Sequence, residues 1–517
     1  MKTNYLSITR TDSFIAPFQL HPLKCLMSQK STLKESTRVW TPTPKAKRFL
    51  GRIVNSQPMI LLLSMAMQSA TAHMAADAVA AKRPMVSGTL IGRDGLLAVP
   101  VMGGDSMPKP IMGVGISSDG TVYVTETVRQ QREEISLIQS PFLHEQDMEL
   151  ISTKAKRQWI MENYSRQIAA RQGVGDYNGD GKVDVKDLSV RSEKIYTLQD
   201  ENADGVFDKA TLFADGFNKV LTGVAHSVTP IDGHVYTTII PDLWKLTDTD
   251  GDGVSDRRES IAHGFAPHIG YGNHDLHSIV QGYDGKLYWS MGDRGVDVLT
   301  KKGTRVSNPH SGCILRCNPD GSEFEVFASG LRNCQYFDFD NHGNIFSVDH
   351  DADFQGERER LVYLPEGSDS GWRMYYQYRN TTLVRAARED LYNPWLAEKM
   401  WVPFHKGQPS HLLPAIENSW NAPAAFSFQP GTALGGAYRD HFFLGGNGDI
   451  RAFRMIADGA GFKRQGDHIP IQGLAWQVLT STFGPDGRLY FTLWRPSGGM
   501  SQLWTLQAGT DTLNMVQ

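Results

Sequence analysis

Two histidines three residues apart, His274 and His277 in GNHDLHSIVQGYDGKLYWSMGDRG (272–295), are the side chains of this chain best suited to acid–base work. A neutral imidazole in a cleft can take a proton from an alcohol because its pKa lies near working pH. Both are expected just before a strand, with the tail MGDRG just after that strand's partner, so Asp293 and Arg294 are expected at the same end. The next phrase, GLRNCQYFDFD (330–340), sets Arg332 and Asn333 at the start of a further strand. A guanidinium there can steady developing negative charge. Each residue also has a plain structural reading: a histidine hydrogen-bonded in a loop, or an arginine tying one sheet to the next. Asp349, His350, Asp351 and Asp353 in VDHDADFQGERE form another oxygen-rich cluster, as ready to be solvated as to hold a metal. No Gly-rich phosphate loop follows a strand and no G-x-S-x-G occurs, so nucleotide binding and serine hydrolysis lack their motifs.

Three acidic loops suggest a hard cation. DYNGDGKVDVKD (176–187) puts oxygen ligands at loop positions one, three, five, nine and twelve: Asp176, Asn178, Asp180, Asp184 and Asp187. DTDGDGVSDRRE (248–259) repeats this with Asp248, Asp250, Asp252, Asp256 and Glu259. DENADGVFD (200–208) offers Asp200, Asn202, Asp204 and Asp208, with Thr211 where the final carboxylate would stand. Gly181, Gly205 and Gly253 occupy position six, where the chain turns sharply so that ligands converge on calcium. The alternative is that Asp, Asn and Gly simply make good hairpin turns. The flanks KIYTLQ and DLWKL read as strands, so calcium would clamp hairpins rather than drive a helix–loop–helix switch.

The elements that must position these groups are announced by a recurring phrase, a strand, an Asx-Gly turn and an aromatic strand. It occurs as GISSDGTVYVTET (115–127), TPIDGHVYTTII (229–240), QGYDGKLYWSMG (281–292), DFDNHGNIFSVD (338–349) and FGPDGRLYFTLW (483–494), with a longer-turn variant FSFQPGTALGGAYRDHFFLGG (426–446). Units of this kind cannot bury their faces alone and stack radially. The sequence therefore predicts an all-β, six-bladed β-propeller with a helical insertion in the first blade, the helices falling within about 128–173. A second long excursion spans about 373–422, and LLAVPVMG (96–103) could lend a strand to the last blade and close the ring.

The 517 residues, 40% hydrophobic, supply ample material for one large propeller at 73–517. Lys45, Lys47, Arg48 and Arg52, the apolar run Met59 to Met67 and Ala70-Thr71-Ala72 have the order of a secretory signal, placed at 52–72 behind a leader 1–51 that suggests an early-called start. The apolar run is far below the ~20 residues of a membrane-spanning helix. Without residues 1–72 the chain loses ten of 52 Lys and Arg and two of 56 Asp and Glu, leaving 42 against 54 and a formal charge of −12. An acidic exported chain without a basic stripe excludes nucleic acid as a natural partner. Cys25 goes with the leader, and Cys313 and Cys317, ~13 Å apart along one strand, are too far for a mutual disulfide. A bridge from either to Cys334 and buried free thiols both remain open. There is no C-x-x-C-H haem motif.

The order of phrases, H-x(9)-DG, GDRG, GLRN-x-Q and a later RERLVYLPEGSDSGW, resembles the soluble quinoprotein sugar dehydrogenases, six-bladed propellers that hold pyrroloquinoline quinone on the axis. The chain is still more similar to planctomycete-type putative membrane-bound dehydrogenase domains, which share the DxDxDG loops, HDLH and PWLAEKMW, over about residues 85–507. The resemblance implies that His274 is the catalytic base and that Arg332 and Asn333 contact quinone and substrate. His277, from the HDLH of the nearer relatives, joins them as a cofactor-side residue. Gly343, Gly371 and Trp372 become architectural. Two departures stand out: Gln477 and Leu479 occupy positions where the sugar enzymes grip the cofactor with arginines, and Cys334 replaces a usual proline. Arg358, Arg360 and Arg373 are candidate substitutes for that grip. The implied activity is oxidation of a sugar or other alcohol in the periplasm or outside the cell, with electrons passing to a separate acceptor, a cytochrome or quinone carrier. The rival expectation is a non-catalytic propeller binding carbohydrate or a protein partner at its axial cleft.

Overall fold

The computed structural model describes residues 88–102, 107–130, 134–350, 359–374, 416–418, 423–495 and 500–509. The expected leader, the signal at 52–72, Cys25, Asp351, Asp353, Arg358 and most of the excursion at 373–422 lie outside the described residues.

Alternation of apolar side chains and tight Asx-Gly turns produce what they predict, antiparallel sheets in a propeller-like arrangement with few helices. Four sheets have four strands each. The first holds Ile111–Ile116, Val122–Glu126, Glu193–Gln199 and Lys209–Phe217; the second holds Ala225–Ile231, His234–Ile239, Asp242–Thr247 and Arg257–His263. The third is built from Leu276–Gln281, Leu287–Met291, Gly312–Cys317 and Glu325–Leu331. The fourth takes Cys334–Phe339, Ile345–Asp349, Arg360–Tyr363 and Glu417–Asn418. An eight-stranded sheet follows, in which the 23-residue strand Gly461–Phe483 pairs first with Asn447–Asp458 and, from Gln477 onward, with Leu489–Arg495.

Packing between sheets follows from the two-residue period of a strand, which sends neighbouring side chains to opposite faces. Trp289 enters a cluster with Leu243 and Ile261 of the second sheet, while Tyr288 joins Phe337 and Phe339 of the fourth. Trp289 is fully buried, and truncating such a ring to Ala costs about 3–5 kcal/mol. The first strand of each four-stranded sheet packs on the first strand of the next, and Gly461–Phe483 returns to Ile111–Ile116. Leu96–Pro100 pairs with Met500–Ala508, so the expected closing strand is present.

Three helices, His144–Met148, Thr153–Asn163 and Arg166–Gln172, lie between the second and third strands of the first sheet. Ser152 Oγ accepts from Ala155 N and Ser165 Oγ from Ile168 N, capping two of them. Ile160 and Ile168 pack with Ile269, Tyr271 and Trp372. The Asp147 carboxylate accepts from the backbone N–H of Ile269 (2.5 Å) and Gly270 (3.0 Å), and the Lys156 ammonium donates to the carbonyls of Ala266 and His268. The helices are thus held against the segment that leads into His274. Cys313, Cys317 and Cys334 are buried and form no disulfide.

Candidate active site

His274 sits two residues before the first strand of the third sheet, and Asp293 two residues after its second strand, so the hairpin delivers both to one end. His274 Nδ1 bonds to Asp293 Oδ1 at 2.7 Å, and Trp372 Nε1 donates to Asp293 Oδ2 at 3.2 Å. A carboxylate on Nδ1 requires the proton there and leaves Nε2 as the ring's acceptor. Gly292 is obligatory: a Cβ would stand 2.6–2.8 Å from the backbone of His274.

The neighbouring sheet is tied to this pair through its backbone. Asp293 N donates to Arg332 O at 2.7 Å. The Asp349 carboxylate accepts from the N–H groups of Arg332 (3.1 Å) and Asn333 (2.8 Å), fixing the Arg-Asn step. The Arg332 guanidinium lies 5.8 Å from the centre of the Trp372 ring and donates to His350 O, and Asn333 Nδ2 donates to Asn273 O at 3.0 Å. His274, Arg332 and Asn333 are therefore brought together, joined by Asp293 and Trp372.

His277 belongs to a deeper layer. It is the second residue of its strand rather than a loop residue, its Nε2 donates to Asn273 O at 3.1 Å, and its ring meets that of His226 with centroids 4.1 Å apart. Burial, and secondly His226, hold its pKa well below the ordinary imidazole value, so it is neutral. His226 Nε2 is 3.5 Å from Asp275 Oδ2, and Arg294 Nη1 reaches both Asp275 and Glu134. Burial pushes the Asp275 carboxyl up, but Arg294 and His226 outweigh it and hold it below the usual carboxylate range. Burial lifts Glu134 to about 7, with Arg294 opposing and Asp275 adding. Lys156, also buried, is lowered to about 7, burial acting first and Arg294 second. His226, Asp275, Glu134 and Lys156 had no role in the sequence reading. One trace was available: His-Ser fills the second and third positions of two successive first strands, AHSV and LHSI.

Several buried acceptors here, Asn273 Oδ1, Asn333 Oδ1 and Gln335 Oε1, receive no hydrogen bond from the described residues. They suit a ligand rich in donors, such as the hydroxyls of a sugar. A tricarboxylate quinone brings acceptors and negative charge instead. Arg294, Arg332 and Arg360 already hold Asp275, His350 O and Asp349, and Arg373 pairs with Asp369. Met112, Val224 and Ala424, near the starts of Ile111–Ile116, Ala225–Ile231 and Phe426–Gln429, form a buried apolar cluster with Leu479 of Gly461–Phe483 and Trp494 of Leu489–Arg495. The described residues therefore do not fit pyrroloquinoline quinone on the axis.

The acidic loops divide. Carboxylate oxygens of Asp248, Asp250 and Asp252 lie within 4.8 Å of one another, a grouping that fits a hard cation. Asp256 is taken by the N–H and hydroxyl of Thr249, and Glu259 by Lys301 Nζ at 2.6 Å. In the first loop Asp176 accepts from Gly179, Asp180 and Gly181 N–H groups, Asn178 from Asp180 N, Asp180 from Lys182 N and Asp184 from Lys186 N. Asp187, at position twelve, is buried and accepts from Tyr177, Asn178 and Asp184 N–H groups, so it latches the loop's own backbone. In the second loop Asp200 accepts from Asp204 and Gly205, Asn202 from Asp204, Asp204 from Val206, and Asp208 from Glu201.

Fold and site together define a propeller-like β protein with a carboxylate-oriented histidine at one end of its third sheet. The family model described as "Domain of unknown function (DUF7133)" matches residues 157–494, and the chain belongs to that family. Among curated proteins none matches. Solved structures similar to the chain include a putative oxidoreductase (glucose dehydrogenase) from Thermus thermophilus, 15% identical, covering 80% of this chain and 100% of that one, TM-score 0.45. The PQQ-bound aldose sugar dehydrogenase of Streptomyces coelicolor is 13% identical over 80% and 99%, TM-score 0.46. The holo pyranose dehydrogenase PQQ domain of Coprinopsis cinerea is 10% identical over 82% and 98%, TM-score 0.44.

Proposed function

We propose that the protein is an exported, calcium-stabilised, six-bladed propeller of the sugar dehydrogenase type, the eight-stranded sheet counting as two blades that share Gly461–Phe483. It removes hydrogen from a hydroxyl-bearing carbon of a sugar or other alcohol. The observation that carries the reading is the 2.7 Å bond between His274 Nδ1 and Asp293. With Nδ1 so engaged, Nε2 takes the hydroxyl proton, while Arg332 steadies the alkoxide charge and Asn333 orients the substrate. Turnover of this kind requires a hydride acceptor, which a quinone would supply if one is held outside the described axial residues, and a separate cytochrome or quinone carrier would take the electrons onward. Calcium on Asp248, Asp250 and Asp252 is structural.

A second reading, carbohydrate binding without turnover, is favoured by the unsatisfied acceptors around His274 and by the poor fit of the quinone. One experiment separates the two. Purified protein is given pyrroloquinoline quinone and calcium, and dye reduction and calorimetric binding are followed across a panel of sugars. Turnover that falls by about 10²-fold or more in His274→Ala supports the dehydrogenase. Sugar binding with no turnover selects the second reading, and neither signal sinks both.

A further inference from the structure

A groove of about 500 Å³ runs between the helix Thr153–Asn163 and the second sheet, with none of His274, Asp293, Arg332 or Asn333 in its lining. Its volume lies within the range of small-ligand sites. The floor is apolar: Val220, Leu221 and Trp244 are half-buried along it, beside buried Phe217 and Ile240. Its rim is cationic. Lys154 and Arg157 stand on the helix and Lys219 on the facing loop, all three exposed. Among the described residues none of these three side chains has a hydrogen-bond or ion-pair partner. Arg258 adds a fourth charge, its guanidinium held 4.0 Å from the centre of the Phe217 ring.

Among the described residues the one carboxylate lining the groove, Asp242, is already engaged by His263 Nδ1 at 2.8 Å and Ser260 Oγ at 2.6 Å. In a chain whose acidic residues outnumber its basic ones, 56 to 52, three unpaired cations around one apolar trough form a local excess of positive potential. Neighbouring like charges repel, and a bound anion relieves that repulsion.

We propose that this groove binds a small amphipathic anion, a carboxylate carrying an aliphatic body. The aliphatic part lies on Leu221 and Trp244, and the carboxylate sits between Lys154, Arg157 and Lys219. Neither half of the ligand suffices. An uncharged chain leaves the cations unpaired, and a bare carboxylate leaves the apolar floor in water.

The test is calorimetric titration of the full chain with octanoate, octanol and acetate. Octanoate is expected to bind saturably and at least about tenfold more tightly than either control, a difference of about 1.4 kcal/mol, and to weaken as salt is raised. Lys154→Gln with Arg157→Gln should weaken octanoate by about tenfold or more while the unfolding temperature stays unchanged, because both side chains are exposed and unpaired. His274→Ala should bind octanoate as the parent does, which keeps this site separate from the reaction site. Octanol binding as tightly as octanoate, octanoate binding unaffected by the double substitution, or no saturable octanoate binding would each overturn the proposal.

Discussion

The role proposed for His274 rests on Asp293, which Trp372 also holds, and the layer beneath it owes its charge state to burial. Glu134 is the clearest case. Its folded pKa of about 7 lies above the ordinary 4.5, burial being the first cause. A carboxyl raised in this way favours the folded state while protonated. Its contribution is whole below about 4.5 and is lost as pH climbs to about 7. Glu134→Gln cannot titrate, so the stability of the parent relative to this variant should fall by on the order of 3 kcal/mol across that window, one pKa unit being about 1.4 kcal/mol. Urea unfolding at a series of pH values measures it. A difference that stays flat from pH 4.5 to 7 would mean that Glu134 keeps its charge beside Arg294. At this scale the sequence named His274, Arg332 and Asn333 but passed over Asp275 and His226. No local spacing relates residue 226 to 275 or 134 to 294; only packed sheets do.

Elements were more legible than side-chain partnerships. Each Asx-Gly turn sits between two strands because the turn chemistry is contained in about four residues. The loop at 248–259 followed the ligand pattern at its first three acidic positions, then departed where the strand Arg257–His263 begins and carries Glu259 to Lys301. Asp187 departed for a different reason: three backbone N–H groups claimed it. Calcium should therefore raise the unfolding temperature in proportion to the logarithm of its concentration, by binding the folded form. Asp250→Ala should remove a large part of that rise and leave the metal-free stability nearly unchanged. Scanning fluorimetry with calcium, magnesium and chelator reads the effect. A midpoint indifferent to calcium would leave the three carboxylates as solvated turn formers.

On the scale of the whole molecule, stability depends on a strand from near residue 96 completing a sheet made by the C-terminal region. Leu96 and Ala98 from one side and Leu503, Trp504 and Leu506 from the other are fully buried. Removing residues 500–509 would expose this apolar surface together with two unpaired strand edges. The truncated chain is expected to aggregate on expression, and sedimentation with circular dichroism would show it. A soluble, cooperatively unfolding truncated chain would deny that closure holds the sheets together.

The sequence by itself determined the turns, the alternating strands and the candidate base, because each is written within a span of about ten residues and enforced by backbone sterics or a single hydrogen bond. Tertiary structure alone decided which carboxylate orients His274, why His277 is a neutral buried neighbour of His226, and how Arg294 comes to bridge Glu134 and Asp275. Those outcomes depend on the distance and dielectric between groups far apart in the chain, and both are created only when the sheets pack against one another.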